Sequence, residues 1–321
     1  MRASPEPGRG ALRVALFIDG ADWHAQRLQA ALTAAGAEVT RASLSRCRFA
    51  TNHPAGIAVH GFGDDLPDAV FVRTVAAGSF EAVTLRLGVL HALTRRGVPI
   101  WNSAAAIEAC VDKAQTTYRL AAAGLPTPDT WALESRKEAA AIVAAETADG
   151  RPLVLKPLFG SQGRALKLVA SPDDLPSANE VSGVFYLQRF EGSDPRAPGD
   201  ASAWRDHRVL VSGGRALAGM IREGETWITN IRQGGQAIAW EPDAEARRLA
   251  EAAAAACGAD YAGVDLIRTR DGGWSILEVN SMPAWSGLQS VVEMDLTAAI
   301  AGDFLAAVRR AKGLRPQAVG A

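Results

Sequence analysis

The chain has 321 residues, 48% of them hydrophobic and 21% charged, with 34 Lys and Arg against 35 Asp and Glu. That length allows two or three domains with cores of their own, and the apolar share excludes a disordered or fibrous class. A net charge of −1 argues against a general nucleic-acid binder, which carries an excess of Lys and Arg. No apolar run approaches bilayer-spanning length. The first twenty residues lack a signal core, because Val14 to Ile18 already reads as a strand. Cys47, Cys110 and Cys257 are odd in number and far apart, which suggests neither a disulfide scaffold nor a zinc knuckle. The expectation is a soluble, cytoplasmic, globular protein without nucleic-acid or membrane partners.

In chain order, Val14 to Ile18 is an apolar run ending in Asp19-Gly20, the form of a buried strand entering a turn. A helix rich in Ala, Leu and Gln runs from Trp23 to Ala35 and stops at Gly36. Val70 to Val72 is a second strand, a helix through Leu85 to Leu93 ends at Gly97, and Val98 to Asn102 is a further strand. Strands alternating with helices predict a parallel sheet, so the first hundred or so residues read as a doubly wound α/β domain. Residues 105–123 read as helix and end at Gly124-Leu-Pro-Thr-Pro128, a rigid connector. Strand-like runs follow at Leu153–Lys156, Ala165–Val169, Val184–Phe190, Arg208–Val211 and Arg215–Ile221, and their short turns favour antiparallel pairing. A helix over Asp243–Cys257, strands at Ala262–Arg268 and Trp274–Val279, and a helix over Leu296–Lys312 complete an α+β region. Residues 199–203 read as a loop insertion and 313–321 as a flexible tail.

Three motifs carry chemistry. Glu278 and Asn280 alternate on one strand and so share a face, and an antiparallel partner could bring Asp265 opposite them. Three such oxygen donors suit Mg²⁺, which binds through carboxylates, phosphate oxygens and water; they also suit a solvated acidic face. Lys156 ends an apolar strand and precedes Phe159-Gly-Ser-Gln-Gly163, where backbone N–H groups can approach a phosphate. The order is not that of a Walker loop, and an ordinary hairpin with a snorkelling Lys is the alternative. Arg208 and Arg222 each sit at a strand end, with Asp206 and Asn230 nearby; they offer forks for carboxylate or phosphate, or simple surface ion pairs.

Taken together, Lys113, Lys156 with its glycine turn, Leu187-Gln-Arg-Phe190, Asp206, Arg208, Arg222, Asn230, Asp265, Glu278 and Asn280 resemble the ATP-grasp fold. More closely, the chain is similar to the RimK-like carboxylate–amine ligases, the family that adds glutamate to a ribosomal protein. Gly124-Leu-Pro-Thr-Pro128, Ala262-Gly-Val-Asp265 and Glu278-Val-Asn-Ser281 carry that likeness, which covers about residues 98–312. The resemblance implies a pre-ATP-grasp α/β domain at 1–108, then α+β subdomains at 109–183 and 184–312 gripping ATP. It implies ATP and two Mg²⁺ ions, with Mn²⁺ as a substitute, an acyl-phosphate mechanism releasing ADP and phosphate, and a homo-oligomer.

Carried over by residue, Lys113 and Lys156 would contact the phosphates, and Gly160, Ser161, Gln162 and Gly163 would form a mobile loop over the γ-phosphate. Gln188, Arg189 and Phe190 would border the adenine, read by the backbone of the last two, and Asp206 would reach the ribose. Arg222 and Asn230 would lie by the transferred phosphoryl group and Arg208 by the acceptor, with Asp265, Glu278 and Asn280 holding Mg²⁺. Arg73 and Ser281 are the implied substrate contacts. The chain departs from the family at Arg189 (usually acidic), Ala165 (often glycine), Ile228 (usually basic) and Met282-Pro-Ala-Trp285 (more often Ser-Pro-Gly).

A narrower likeness lies in Val72-Arg-Thr-Val-Ala-Ala-Gly-Ser-Phe-Glu81, Pro157 to Gly163 and Asn280 to Trp285, which resemble ATP-grasp proteins of one-carbon metabolism in methylotrophic bacteria. That subgroup is associated with methanopterin- and methylofuran-type coenzymes, and it implies a ligase joining glutamate to tyrosine in methylofuran synthesis. A glutamate ligase acting on a pterin, peptide or protein, and a non-catalytic ATP-binding module, are the alternatives. A nicotinamide oxidoreductase fails, because Phe17-Ile-Asp-Gly20 lacks the glycine-rich dinucleotide loop.

Overall fold

The structure, a computed structural model, describes residues 11–20, 22–160, 165–191 and 204–314. Contacts divide the chain into two units, Met1–Ala104 with Asp295–Ala321, and Ala105–Met294. Ser161, Gln162 and Gly163, the 199–203 insertion and residues 315–321 of the tail lie outside the described residues.

The first unit contains β1 (Arg13–Phe17), α1 (Trp23–Ala34), β2 (Glu38–Ala42), the short hairpin β3 (Arg48–Phe49) and β4 (Ile57–Ala58), β5 (Ala69–Val72), α2 (Phe80–Arg95) and β6 (Ile100–Trp101). Its sheet is parallel, in the order β2-β1-β5-β6. Val14 to Phe17 and Ala69 to Val72 are wholly buried, as expected for central strands covered on both faces, and that is why they read as unbroken apolar runs. Asp22 and Ser79 start the two helices by accepting the N–H groups of Ala25 and Ala82. The helix α8 (Leu296–Ala311), which the sequence placed at the close of the second region, belongs to this unit. Its buried stripe Leu296, Ile300, Phe304 and Val308 explains the difference, for Phe304 packs edge-on against Phe71 and Trp101.

The second unit opens with α3 (Ala104–Val111) and α4 (Lys113–Ala122). The single helix expected over 105–123 is broken at Asp112, whose carboxylate accepts from the N–H groups of Ala114 and Gln115 and starts a new helix at Lys113. One antiparallel sheet holds β7 (Thr130–Leu133), β8 (Leu153–Lys156), β9 (Lys167–Val169) and β10 (Phe185–Arg189) in the order β7-β10-β8-β9. The helix α5 (Arg136–Glu146) sets Ala139 and Val143 against Leu153, Leu155, Phe185 and Leu187. The other antiparallel sheet holds β11 (Trp204–Ser212), β12 (Arg215–Gly224), β13 (Gln236–Trp240), β14 (Tyr261–Arg268) and β15 (Trp274–Asn280) in the order β13-β12-β11-β14-β15. The helix α6 (Ala244–Ala256) backs it, with Leu249, Ala250 and Ala253 on Val209, Val264 and Ile276. A short α7 (Ser286–Gln289) follows. Among the described residues no helix is long and apolar enough to cross a membrane.

Candidate active site

Sheet register builds the charged floor of the site. Asp206 of β11 lies opposite Arg222 of β12; Arg208 lies opposite Asp265 of β14, which in turn lies opposite Glu278 of β15. Directly opposed residues share a face, so one sheet face carries Arg222, Asp206, Arg208, Asp265 and Glu278. A bulge between Asp265 and Leu266 leaves Leu277 as the extra residue of β15 and puts Leu277 and Glu278 in succession on the cleft wall. Asn280 falls opposite Gly263, with its amide 3.5 Å from the Gly263 carbonyl.

These charges form a buried chain. Arg222 donates to both oxygens of Asp206 at 2.6 Å and meets Asp265 Oδ2 at 2.9 Å; Arg208 grips Asp265 through Nε and Nη2, each at 2.7 Å. Burial alone would raise the Asp265 pKa, but the Arg208 and Arg222 charges outweigh it and hold the carboxyl below its ordinary range. Burial likewise opposes the Arg222 charge, and Asp206 and Asp265 more than offset it. A carboxylate has about four lone-pair positions. The guanidinium contacts occupy three on Asp265, so one stays available to a further ligand.

The facing wall carries the lysines. Lys156 closes β8 and donates to Gln188 Oε1, while Gln188 Nε2 donates to Thr130 Oγ1. Gln188 is 1% exposed, and its side chain therefore orients Lys156 from within the wall. Burial pushes the Lys156 ammonium down to about 8, against the counter-pull of Glu278. Lys113 is lowered for the same reason, and its Nζ donates to the Gly160 carbonyl at 2.8 Å. An open cleft is lined by Lys113, Lys156, Gly160, Gln188, Arg189, Phe190, Asp206, Arg222, Asn230, Asp265 and Glu278. Thr229 beside Asn230 lines it as well, as do Trp204 and Trp227, which the sequence reading did not single out.

The remaining predicted residues are placed as follows. The Arg189 side chain turns outward to Glu146 and Asp129, its N–H bonds the Asp129 carbonyl, and the Phe190 N–H makes only a 3.4 Å contact to the Pro152 carbonyl. Asn230 accepts the N–H of Gln233 with its own carbonyl and starts the turn into β13. Ser281 is buried in hydrogen-bond contact with Cys110. Arg73 belongs to the first unit, buried 3.9 Å from Asp22. Ala165 has a φ of +57°, the left-handed region that glycine adopts freely, which accounts for the glycine expected at that position.

The donor set fits a nucleotide with Mg²⁺. Among the described residues no group of three or more His, Cys, Asp or Glu could hold a metal. Two opposed carboxylates beside an amide match an ion that keeps waters and takes phosphate oxygens.

Residues 110–305 match the RimK-like ATP-grasp domain, and the chain belongs to that family. It is an ATP-grasp carboxylate–amine ligase of the alpha-L-glutamate ligase group, a class that uses ATP and Mg. Among its relatives, tetrahydromethanopterin:alpha-L-glutamate ligase of Methanosarcina acetivorans is 34% identical over 69% of this chain and 74% of its own length. The protein of the same name from Methanocaldococcus jannaschii is 35% identical over 73% and 78%. Probable alpha-L-glutamate ligase 1 of Shewanella amazonensis is 27% identical over 97% and 99%. The fold is also that of the ATP-grasp ligase PsnB complexed with minimal precursor, Mg and ADP, with a TM-score of 0.68, 20% identity, and coverage of 92% of this chain and 98% of that one.

Proposed function

We propose that the protein joins glutamate to tyrosine through an acyl phosphate, as a step in building a methylofuran-type coenzyme. The observation that carries the ligase chemistry is the register that sets Asp265 opposite Glu278, in one cleft with Lys113 and Lys156. Phosphoryl transfer depends chiefly on positioning and charge neutralisation, and this cleft supplies both. Lys113 and Lys156 hold the nucleotide phosphates, and Arg222 and Asn230 face the phosphoryl group that moves to the substrate carboxylate. Asp265, Glu278 and Asn280 would hold two Mg²⁺ ions, which would supply neutralisation of phosphate charge. Arg208 orients the acceptor, whose amine attacks as the free base and sheds its proton to the departing phosphate.

Glutamate is supported by the names of the relatives. Tyrosine is supported by the likeness of residues 72–81, 157–163 and 280–285 to the methylotroph proteins. A pterin acceptor is the second reading, favoured by the relatives named tetrahydromethanopterin:alpha-L-glutamate ligase. The test is mass spectrometry of products from purified protein with ATP, Mg²⁺, glutamate and a panel of amines including tyrosine and tetrahydromethanopterin. Glutamyl-tyrosine with stoichiometric ADP supports the first reading, and a glutamylated pterin replaces it with the second. ATP binding without any conjugate would overturn both in favour of a binding module.

A further inference from the structure

Register gathers a polar row behind the lysine wall. Lys156 lies opposite Tyr186, Tyr186 and Gln188 alternate on β10, and Gln188 lies opposite Thr130 of β7. Residues directly opposed, or two apart on one strand, share a sheet face, so Lys156, Tyr186, Gln188 and Thr130 project together. From α4, Thr117 meets the Tyr186 hydroxyl at 2.7 Å, one turn beyond Lys113. Lys156 and Gln188 line the cleft, whereas Thr117, Thr130 and Tyr186 stand behind that lining.

The hydrogens of this row can be assigned one by one. Thr130 Oγ1 lies 2.7 Å from the Pro128 carbonyl, which can only accept, so the single hydroxyl hydrogen of Thr130 is committed there. Toward Gln188, at 3.0 Å, Thr130 Oγ1 can then only accept, and the Gln188 atom that faces it is the amide nitrogen. The other N–H of that nitrogen points to the Tyr186 hydroxyl at 3.4 Å. The amide oxygen is thereby left for Lys156. A turned amide would set N–H against the ammonium and oxygen against Thr130 Oγ1, two mismatches made costly by the burial of Gln188.

Resting on the nucleotide reading above, we infer that Thr130 is a positioning residue for ATP: by fixing the Gln188 amide it holds Lys156 aimed at the nucleotide phosphates. Three hydrogen bonds run from the Gly124–Pro128 connector to the cleft, Thr130 to Pro128, Gln188 to Thr130 and Lys156 to Gln188. Tyr186 and Thr117 tie the same amide to the helix that starts with the other phosphate lysine, Lys113.

Calorimetric titration of the full chain with ATP and Mg²⁺ tests this. Thr130→Val keeps the outline of the side chain and suits a strand, but it removes the hydroxyl. It is expected to weaken ATP binding about ten-fold, the scale of one hydrogen bond to a charged group. Thr130→Ser is expected to restore the affinity. Thr130→Val added to Gln188→Met is expected to cost nothing beyond Gln188→Met alone, because the amide through which Thr130 acts is gone. Unchanged ATP affinity in Thr130→Val would overturn the inference, as would a Thr130→Ser chain that binds as weakly as Thr130→Val. Additive losses in the double variant would also overturn it, by showing that Thr130 acts apart from Gln188. A wild-type chain that binds no ATP would sink the nucleotide reading itself and the inference with it.

Discussion

Replacing Lys156 by Met is expected to stabilise the folded protein at pH 7 while abolishing ligation. The gap between the ordinary Lys value of 10.5 and about 8 corresponds to about 3 kcal/mol held against the charged form in the ligand-free fold. Removing the ammonium relieves that penalty but strips Gln188 Oε1 of its donor in a buried wall, a loss of about 1–2 kcal/mol. The variant should therefore gain about 1–2 kcal/mol at pH 7. The dependence on pH is the sharper signature. Below pH 8 Lys156 is charged in both states and the wild type carries the full penalty. Between pH 8 and 10.5 the folded state releases the proton while the unfolded chain keeps it, so wild-type stability rises with pH. The advantage of Lys156→Met should shrink by about 2 kcal/mol from pH 7 to pH 10. Urea denaturation of both proteins at the two pH values, without nucleotide, measures it. An advantage that is constant or grows with pH would refute the assignment of the low pKa to burial.

Glu278→Gln should reduce ADP release to background, because it removes one of the two opposed carboxylates, while the melting temperature stays within a few degrees; retained turnover would remove Glu278 from the metal site. Arg222→Met leaves Asp206 and Asp265 buried without their shared partner and should lower stability by about 3–5 kcal/mol in urea. A loss under 1 kcal/mol would mean that Arg208 alone holds the network together.

The site was legible where chemistry coincides with strand period. Glu278 and Asn280 alternate on one strand, and Asp265 sits in the strand before them, so their meeting needed only antiparallel pairing. The apolar runs at Val14–Phe17 and Leu153–Lys156 stood out because both are buried along almost their whole length. Elements with mixed exposure were not legible: β2 (Glu-Val-Thr-Arg-Ala), β13 (Gln-Ala-Ile-Ala-Trp) and the first turns of α5 show no clean period. Asp112 was hidden in a helical stretch, although an Asp followed by two good helix formers is a capping signal. The Asp206–Arg222–Asp265–Arg208 chain could not be read either, since ion pairing depends on the register of three strands. Trp204 could have been found from its spacing to Asp206. Trp227, alone in a loop, offered no comparable signal.

The return of α8 to the first unit bears on how the chain folds during synthesis. Phe304 completes the hydrophobic face beneath Phe71 and Trp101, yet it is translated only after residues 105–294 have emerged. The nascent N-terminal sheet must wait with apolar surface uncovered while the unit that is contiguous in sequence is made. Closing the first unit thus joins segments some two hundred residues apart, a late and non-local event in a chain whose middle can fold as it leaves the ribosome.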